Sequence, residues 1–313
     1  MEQTIFIDRL PVRTWNRLKV NEAAVQWDEA GALALPPVQL TAETGQSPAP
    51  QRLDFTAGAA AYSRQEAVLT AKAGSQMTVF ELCTPGAPLC AAVSMTLEEK
   101  ARVRLVRLMA PEGGALLRHE IRAVCGPDAR LELVTLLLGD GDLYEDVQAD
   151  LTGDGSSFDA QIAYLGRYTQ KIDLNLVVNQ YGKHTSSTIT ANGALMEAAE
   201  KTFRGSIDFK RGSAGSVGSE SETVLMLGQD AVNKTVPLIL CAEENVEGTH
   251  GATIGELDAD TLFYFQSRGF DRAQAEAILA RAAVERLARL PGDEAFSGRV
   301  LETLDCVLGE AAQ

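Results

Sequence analysis

The side chains best suited to transition-metal chemistry in this 313-residue sequence are three histidines and five cysteines. His119 lies in "LLRHEIRAV", whose alternation reads as a strand; a strand-face histidine beside Glu120 is read as structural. His184 lies in "YGKHTSSTI", a polar corner ahead of a hydroxyl-rich run. His250 stands apart. Gly248, Thr249, Gly251 and Ala252 surround it, and such small neighbours leave room for a metal or another backbone to approach. Nine residues earlier, Cys241 ends the apolar run "TVPLILC". A thiol and an imidazole close together suit iron or zinc. The alternation of that run equally describes an inward, packed thiol with His250 as a turn residue, and the residues alone favour packing. Cys83, Cys90, Cys125 and Cys306 are scattered, with no Cys-x-x-Cys pair. That spacing gives neither a disulfide framework nor a self-contained zinc site.

Other chemistries lack their residues. No G-x-S-x-G, H-E-x-x-H, Walker A or dinucleotide fingerprint occurs. "RGSAGSVGSES" spaces Gly212, Gly215 and Gly218 by three, matches no phosphate loop, and reads as a flexible loop. "DGDLYED" and "DLTGDGSS" supply carboxylates, but at corners where Asp and Gly are expected, and without full calcium-loop spacing. A carbohydrate-active β-helix enzyme is therefore a remote alternative. A net charge of −15 and a pI near 4.7 argue against nucleic acid and anionic membrane partners. No run of about 18 apolar residues is present, and the start lacks a signal-peptide pattern. The cytoplasm is the expected location.

The elements that must position these residues change along the chain. Residues 1–57 read as a short amino-terminal helical and extended segment, with a short helix expected in "TWNRLKVNEAAVQW" and a proline-rich connector after it. Residues 58–257 read as strands. A corner followed by alternating apolar residues recurs in "AGSQMTVFEL", "LEEKARVRLV", "CGPDARLELV" and "TGDGSSFDAQIAYL". With Gln76, Ala101, Ala129 and Ser157 taken as equivalent, the spacings are 25, 28 and 28 residues. A period in the twenties built from strands predicts a mainly β fold, a right-handed parallel β-helix. An antiparallel sandwich competes for the same pattern. Residues 258–313 read as a helical subdomain. Asp258 caps a first helix ended by Gly269, and Asp271 with Gln274 forms a capping box. A second helix faces inward through Ala275, Leu279, Ala282 and Leu290 and ends at Pro291. A third places Phe296, Val300, Leu304 and Val307 on one stripe.

The stretch "PLILCAEENVEGTHGATIGELDADTLFYFQSRGF" resembles the carboxyl-terminal core of the SufB/SufD family of iron–sulfur cluster assembly scaffolds. The resemblance rests on the Pro237-led strand, "HGAT" (His250–Thr253), "LFY" (Leu262–Tyr264) and "SRG" (Ser267–Gly269). It extends upstream through "FRGSID", "HTSSTI" and "PVRTWNRLKVN". It implies a non-enzymatic scaffold on a β-helix, paired with a SufB-like subunit and docking a SufC-like ABC ATPase on its helical region. A SufB-like chain would carry cysteine at Ala231 and glutamate at Gly251, so the resemblance is SufD-like. The amino-terminal helical segment is much shorter than in longer SufD proteins. His250 is then implied as a transient cluster ligand at the subunit interface, with Cys241 a weaker second candidate. Leu262, Phe263, Tyr264, Ser267, Arg268 and Gly269 are implied as the ATPase dock. Deletion of residues 258–313 should then abolish ATPase binding and leave the β body folded. The iron–sulfur cluster would be held only in the complex, with no stable cofactor in the isolated chain. A homodimer through the β-helix, working with the ATPase alone, is the alternative assembly.

Overall fold

In the computed structural model, residues 2–14, 16–28, 31–55, 61–289 and 292–309 are described. The body is a parallel β-solenoid. One face is a nine-stranded sheet containing β3 (Leu33–Ala34), β4 (Val38–Ala42), β6 (Ser63–Ala71), β8 (Leu89–Leu97), β10 (Leu117–Cys125), β12 (Leu143–Leu151), β14 (Lys171–Gln180), β16 (Glu200–Phe209) and β18 (Val232–Cys241). The facing eight-stranded sheet holds β5 (Gln51–Phe55), β7 (Gln76–Cys83), β9 (Arg102–Met109), β11 (Arg130–Leu137), β13 (Ser157–Gly166), β15 (Ser186–Leu195), β17 (Ser216–Met226) and β19 (Val246–Glu256). From β4 onward the strands alternate between the sheets along the chain, so each turn of solenoid stacks in parallel on the one before.

Stacking without slip explains why a degenerate repeat folds regularly. The register places Leu89, Leu117, Leu143 and Ile172 in one column, and Val93, Ile121, Val147 and Leu176 in another. Each of these side chains is buried in the lumen between the sheets, and each contributes about 1.5–3 kcal/mol by leaving water. The corners are equally regular. A residue with positive φ precedes a small, fully buried one: Gly74–Ser75, Lys100–Ala101, Asp128–Ala129, Gly155–Ser156, His184–Thr185 and Gly215–Ser216. The equivalent positions are therefore Ser75, Ala101, Ala129 and Ser156, not Gln76 and Ser157; the repeat runs 26, 28 and 27 residues. The expected loop around Gly215 and Gly218 is corrected too. From Ser216 onward it is β17, because Gly218, Glu220, Glu222 and Val224 alternate inward.

Both outer faces are covered in part. Helices α2 (Arg272–Ala288) and α3 (Glu294–Leu308) lie on the eight-stranded sheet. Ala280, Val284, Leu287, Phe296, Val300 and Leu304 pack there against Val106, Val134, Leu136 and Leu165. Leu308 is buried where Val307 was expected, and Ala282 is exposed where burial was expected. Leu290 and Pro291 lie outside the described residues. The capping box of Asp271 and Gln274 is formed, at 2.8 and 2.9 Å.

On the other face lies a two-stranded antiparallel pair, β1 (Gln3–Ile7) and β2 (Ala23–Trp27). The expected helix across Thr14–Trp27 is thus a correction. Only Asn16–Leu18 make a 3-10 turn, left-handed Lys19 ends it, and Ala23, Val25 and Trp27 alternate inward as a strand. The sheets also reach back through β3, β4 and β5 into the stretch read as connector. The expected boundary at 57/58 falls among residues 56–60, outside the described residues.

Candidate functional site: the open end of the solenoid

The last rung, β18 and β19, has a stacked neighbour on one side only, β16 and β17 respectively. Side chains in register on parallel strands point the same way. On β16, Phe203, Ile207 and Phe209 are buried in the lumen, and their register partners on β18 are Thr235, Ile239 and Cys241. On β17, Glu220, Glu222 and Val224 are buried; their partners on β19 are His250, Ala252 and Ile254. Cys241 and His250 therefore both lie on the lumen side of the final rung, and both are exposed because no further rung covers them. The packed thiol expected for Cys241 is corrected: the alternation turns it inward, but the solenoid ends there. Ala231, where a SufB-like cysteine would stand, is half-buried against the core.

The two glycines flanking His250 differ. A Cβ on Gly248 would sit 2.8 Å from Ile239 Cγ2 and 3.1 Å from Phe209, so Gly248 is required for close packing across the lumen. A Cβ on Gly251 would meet nothing within 4 Å; space is open only there.

Directly beneath the final rung the lumen is charged. Lys201 on β16 pairs with Glu222, which also accepts from Tyr164 Oη at 3.1 Å and Thr235 Oγ1 at 2.6 Å. Glu220 is 3% exposed, and its Oε2 has no hydrogen-bond partner. Burial, aided by the neighbouring Glu222 charge and opposed by Lys201, pushes the Glu220 carboxyl up to about 8. Burial lowers Lys201, against the pull of Glu222 and Glu220. Sequence reasoning missed this group, since Glu220 falls in the stretch read as a flexible loop, and serine–glutamate alternation resembles a solvated face.

The other histidines are elsewhere. His119 is fully enclosed in the lumen, its Nε2 2.7 Å from Glu81 Oε1 and its Nδ1 3.4 Å from Arg107 Nη1; Arg107 pairs in turn with Glu145. Attraction from His119 and Arg107 outweighs burial and holds Glu81 below the usual carboxylate range. His184 is a left-handed corner residue, φ 54°. Among the described residues, no three His, Cys, Asp or Glu side chains converge on a metal site.

Helix α1 (Ala259–Ser267), capped by Asp258, carries a second exposed feature. Leu262 and Phe265 are half-buried, whereas Phe263 is 72%, Tyr264 55% and Phe270 40% exposed. The Arg268 guanidinium lies over the Tyr264 ring, 5.1 Å from its centroid, and Ser267 Oγ donates to the Tyr264 carbonyl. Gly269 provides the left-handed stop, φ 90°.

These features define a parallel β-solenoid with an uncapped terminal rung, one exposed histidine and one exposed cysteine on its lumen side, and an aromatic helical tail. The family model for the SUF system FeS cluster assembly SufBD core domain matches residues 55–283. The chain belongs to this SufB/SufD family, as a SufD-like member. It is similar to the iron–sulfur cluster assembly protein SufD of Bacillus subtilis, 28% identical over 157 residues, which cover 50% of this chain and 36% of the relative. It is also similar to SufD of Escherichia coli, 22% identical over 167 residues, covering 53% of this chain and 40% of the relative. A SufBD family protein of Mycobacterium leprae is 24% identical over 248 residues, covering 76% of this chain and 28% of the relative. The chain thus matches well under two thirds of the length of each of these relatives.

Proposed function

We propose that this chain is a non-catalytic scaffold subunit for iron–sulfur cluster assembly, joined through its uncapped rung to a SufB-like subunit. The observation that carries the reading is the pairing of an unsatisfied strand edge with an incomplete donor set. An exposed edge offers unpaired backbone donors and acceptors to another chain. His250 and Cys241 lie on that same rung, and a cluster needs more ligands than one histidine and one thiol. A partner that covers the edge would bring the rest. Neutral imidazole suits borderline iron and holds it less firmly than thiolate, which favours a cluster that must later be passed on.

The SufC-like ATPase would dock on α1 and the stop behind it, where Phe263, Tyr264, Arg268 and Phe270 present exposed aromatic and cationic groups of the kind that anchor interfaces. The test is co-purification with SufB-like and SufC-like subunits, then anaerobic iron and sulfide analysis of the complex. His250→Ala should leave the complex intact and sharply reduce cluster formation. Wild-type cluster yield from that variant would refute the ligand role, and a stable pair of identical chains with no SufB-like partner would point to the homodimer.

A further inference from the structure

Glu220 feels the charge of Lys201 but has no hydrogen bond at Oε2 to explain its burial. Lys201 and Tyr164 are committed to the neighbouring Glu222, and Glu220 Oε2 is left without a hydrogen bond. A buried carboxylate in that state is costly, and an amide or apolar residue of the same size would cost less. Yet the lumen is shaped around it. Gly205, across the lumen on β16, would place a Cβ 2.3 Å from Glu220 Cδ; any side chain there would occupy the carboxylate's space. One rung further out, the register partner of Glu220 is His250. Their strands lie about 4.8 Å apart, with both side chains on the lumen face. A carboxylate oxygen and an imidazole nitrogen each sit about 2.1 Å from a bound divalent ion, so one ion spans the gap between neighbouring rungs.

We propose that Glu220 and His250 together form a two-donor half-site for a divalent transition-metal ion on the lumen side of the open end. The assignment rests on the reading of His250 as a metal ligand and adds Glu220 as the donor beneath it. Two protein donors leave the remaining positions to water in the isolated chain and to partner groups in a complex. Such a site is weak alone and strengthened by assembly.

The test is an anaerobic Co²⁺ titration of the full chain, followed by visible absorption and calorimetry, beside cluster formation measured on the complex. Wild-type protein should bind one Co²⁺. Glu220→Gln and His250→Ala should each weaken binding at least about tenfold, and the double variant should lose little more, as for two donors to one ion. Glu220→Asp should recover part of the affinity and shift the absorption bands. Glu220→Gln should keep or raise the melting temperature, which separates loss of a donor from loss of fold. No Co²⁺ binding by wild type, or wild-type binding by Glu220→Gln, overturns the half-site. If Glu220→Gln binds normally while His250→Ala abolishes cluster formation, the Glu220 assignment alone fails. If His250→Ala assembles clusters normally while both single variants lose Co²⁺, the half-site stands and the cluster-ligand role fails.

Discussion

Arg204 on β16 donates to the carbonyl of Val20, 184 residues earlier, while pairing with Asp173 on β14. This one guanidinium fastens the amino-terminal crossing to the outer face of the nine-stranded sheet. Asn175 Nδ2 adds a contact to the Arg9 carbonyl at 3.4 Å, and Arg118 lies 5.1 Å over the Trp27 ring. Arg204→Ala leaves the buried Asp173 without its cation and should cost about 3 kcal/mol or more. Limited proteolysis should then cut within residues 9–22 well before the solenoid; equal protease resistance in wild type and variant would contradict the role.

The same crossing should make stability depend on pH. Asp8, 4% exposed and left-handed, faces Asp173, Asp146 and Arg204. Burial, then the Asp173 charge and hydrogen bond, hold its carboxyl well above the usual range, against the pull of Arg204. A raised acid binds its proton more tightly folded than unfolded. Its contribution is full below the ordinary value of 3.8 and is lost as pH rises through the elevated one. The slope is at most about 1.4 kcal/mol per pH unit. Melting temperatures of Asp8→Asn across pH 4–8 should fall less steeply than those of wild type; parallel curves would refute it.

Lys201 and Glu222 form the ion pair beneath the open end, both essentially inaccessible. Lys201→Ala should destabilise by about 3–5 kcal/mol, because Glu222 would remain charged and buried. Lys201→Met with Glu222→Leu should restore most of that loss. Urea denaturation of wild type and the two variants decides it, and a double variant as unstable as the single would show that packing, not charge, is at stake.

Deletion of residues 258–313 no longer serves as a docking test. Helices α2 and α3 cover the apolar outer face of the eight-stranded sheet, so their removal should unfold or aggregate the body. Phe263→Asp with Tyr264→Ala is the cleaner change. Both side chains are exposed, so stability should stay within about 0.5 kcal/mol while ATPase binding is lost. Full ATPase binding by this variant would place the dock elsewhere.

Cys241→Ser should leave the melting temperature unchanged, since the thiol is exposed. In native protein, iodoacetamide should modify Cys241 and Cys306 and spare Cys83, Cys90 and Cys125, which are buried. Burial pushes the Cys125 thiol up to about 12, which slows its reaction further. Protection of Cys241 upon addition of a SufB-like subunit would map the covered edge.

The solenoid was legible because its corners repeat a conformational need, a left-handed residue followed by a small buried one. Its exact phase was not: glycine, lysine, aspartate and histidine all serve at the left-handed position, so no single residue type marks it. Likewise, alternation turned Cys241 inward but could not say that the stack stops at its rung, and the small residues around His250 read as a turn although they lie in a strand. Glu220 was hidden by its own charge, since a carboxylate alternating with serine looks like an outward face. The helix expected after Thr14 failed because tertiary cover over the nine-stranded sheet rewards the Ala23–Val25–Trp27 alternation above local helix preference.

The uncapped rung also limits how large an assembly can grow. Two solenoids that meet edge to edge about a twofold axis, or a pseudo-twofold in a mixed pair, each spend that edge on the other. Nothing of the kind is left to recruit a third at the join. Head-to-tail stacking would instead leave a fresh edge at every step and lead towards fibres. Facing partnership would therefore convert a feature prone to endless polymerisation into a closed count of two, with His250 and Cys241 sealed at the seam.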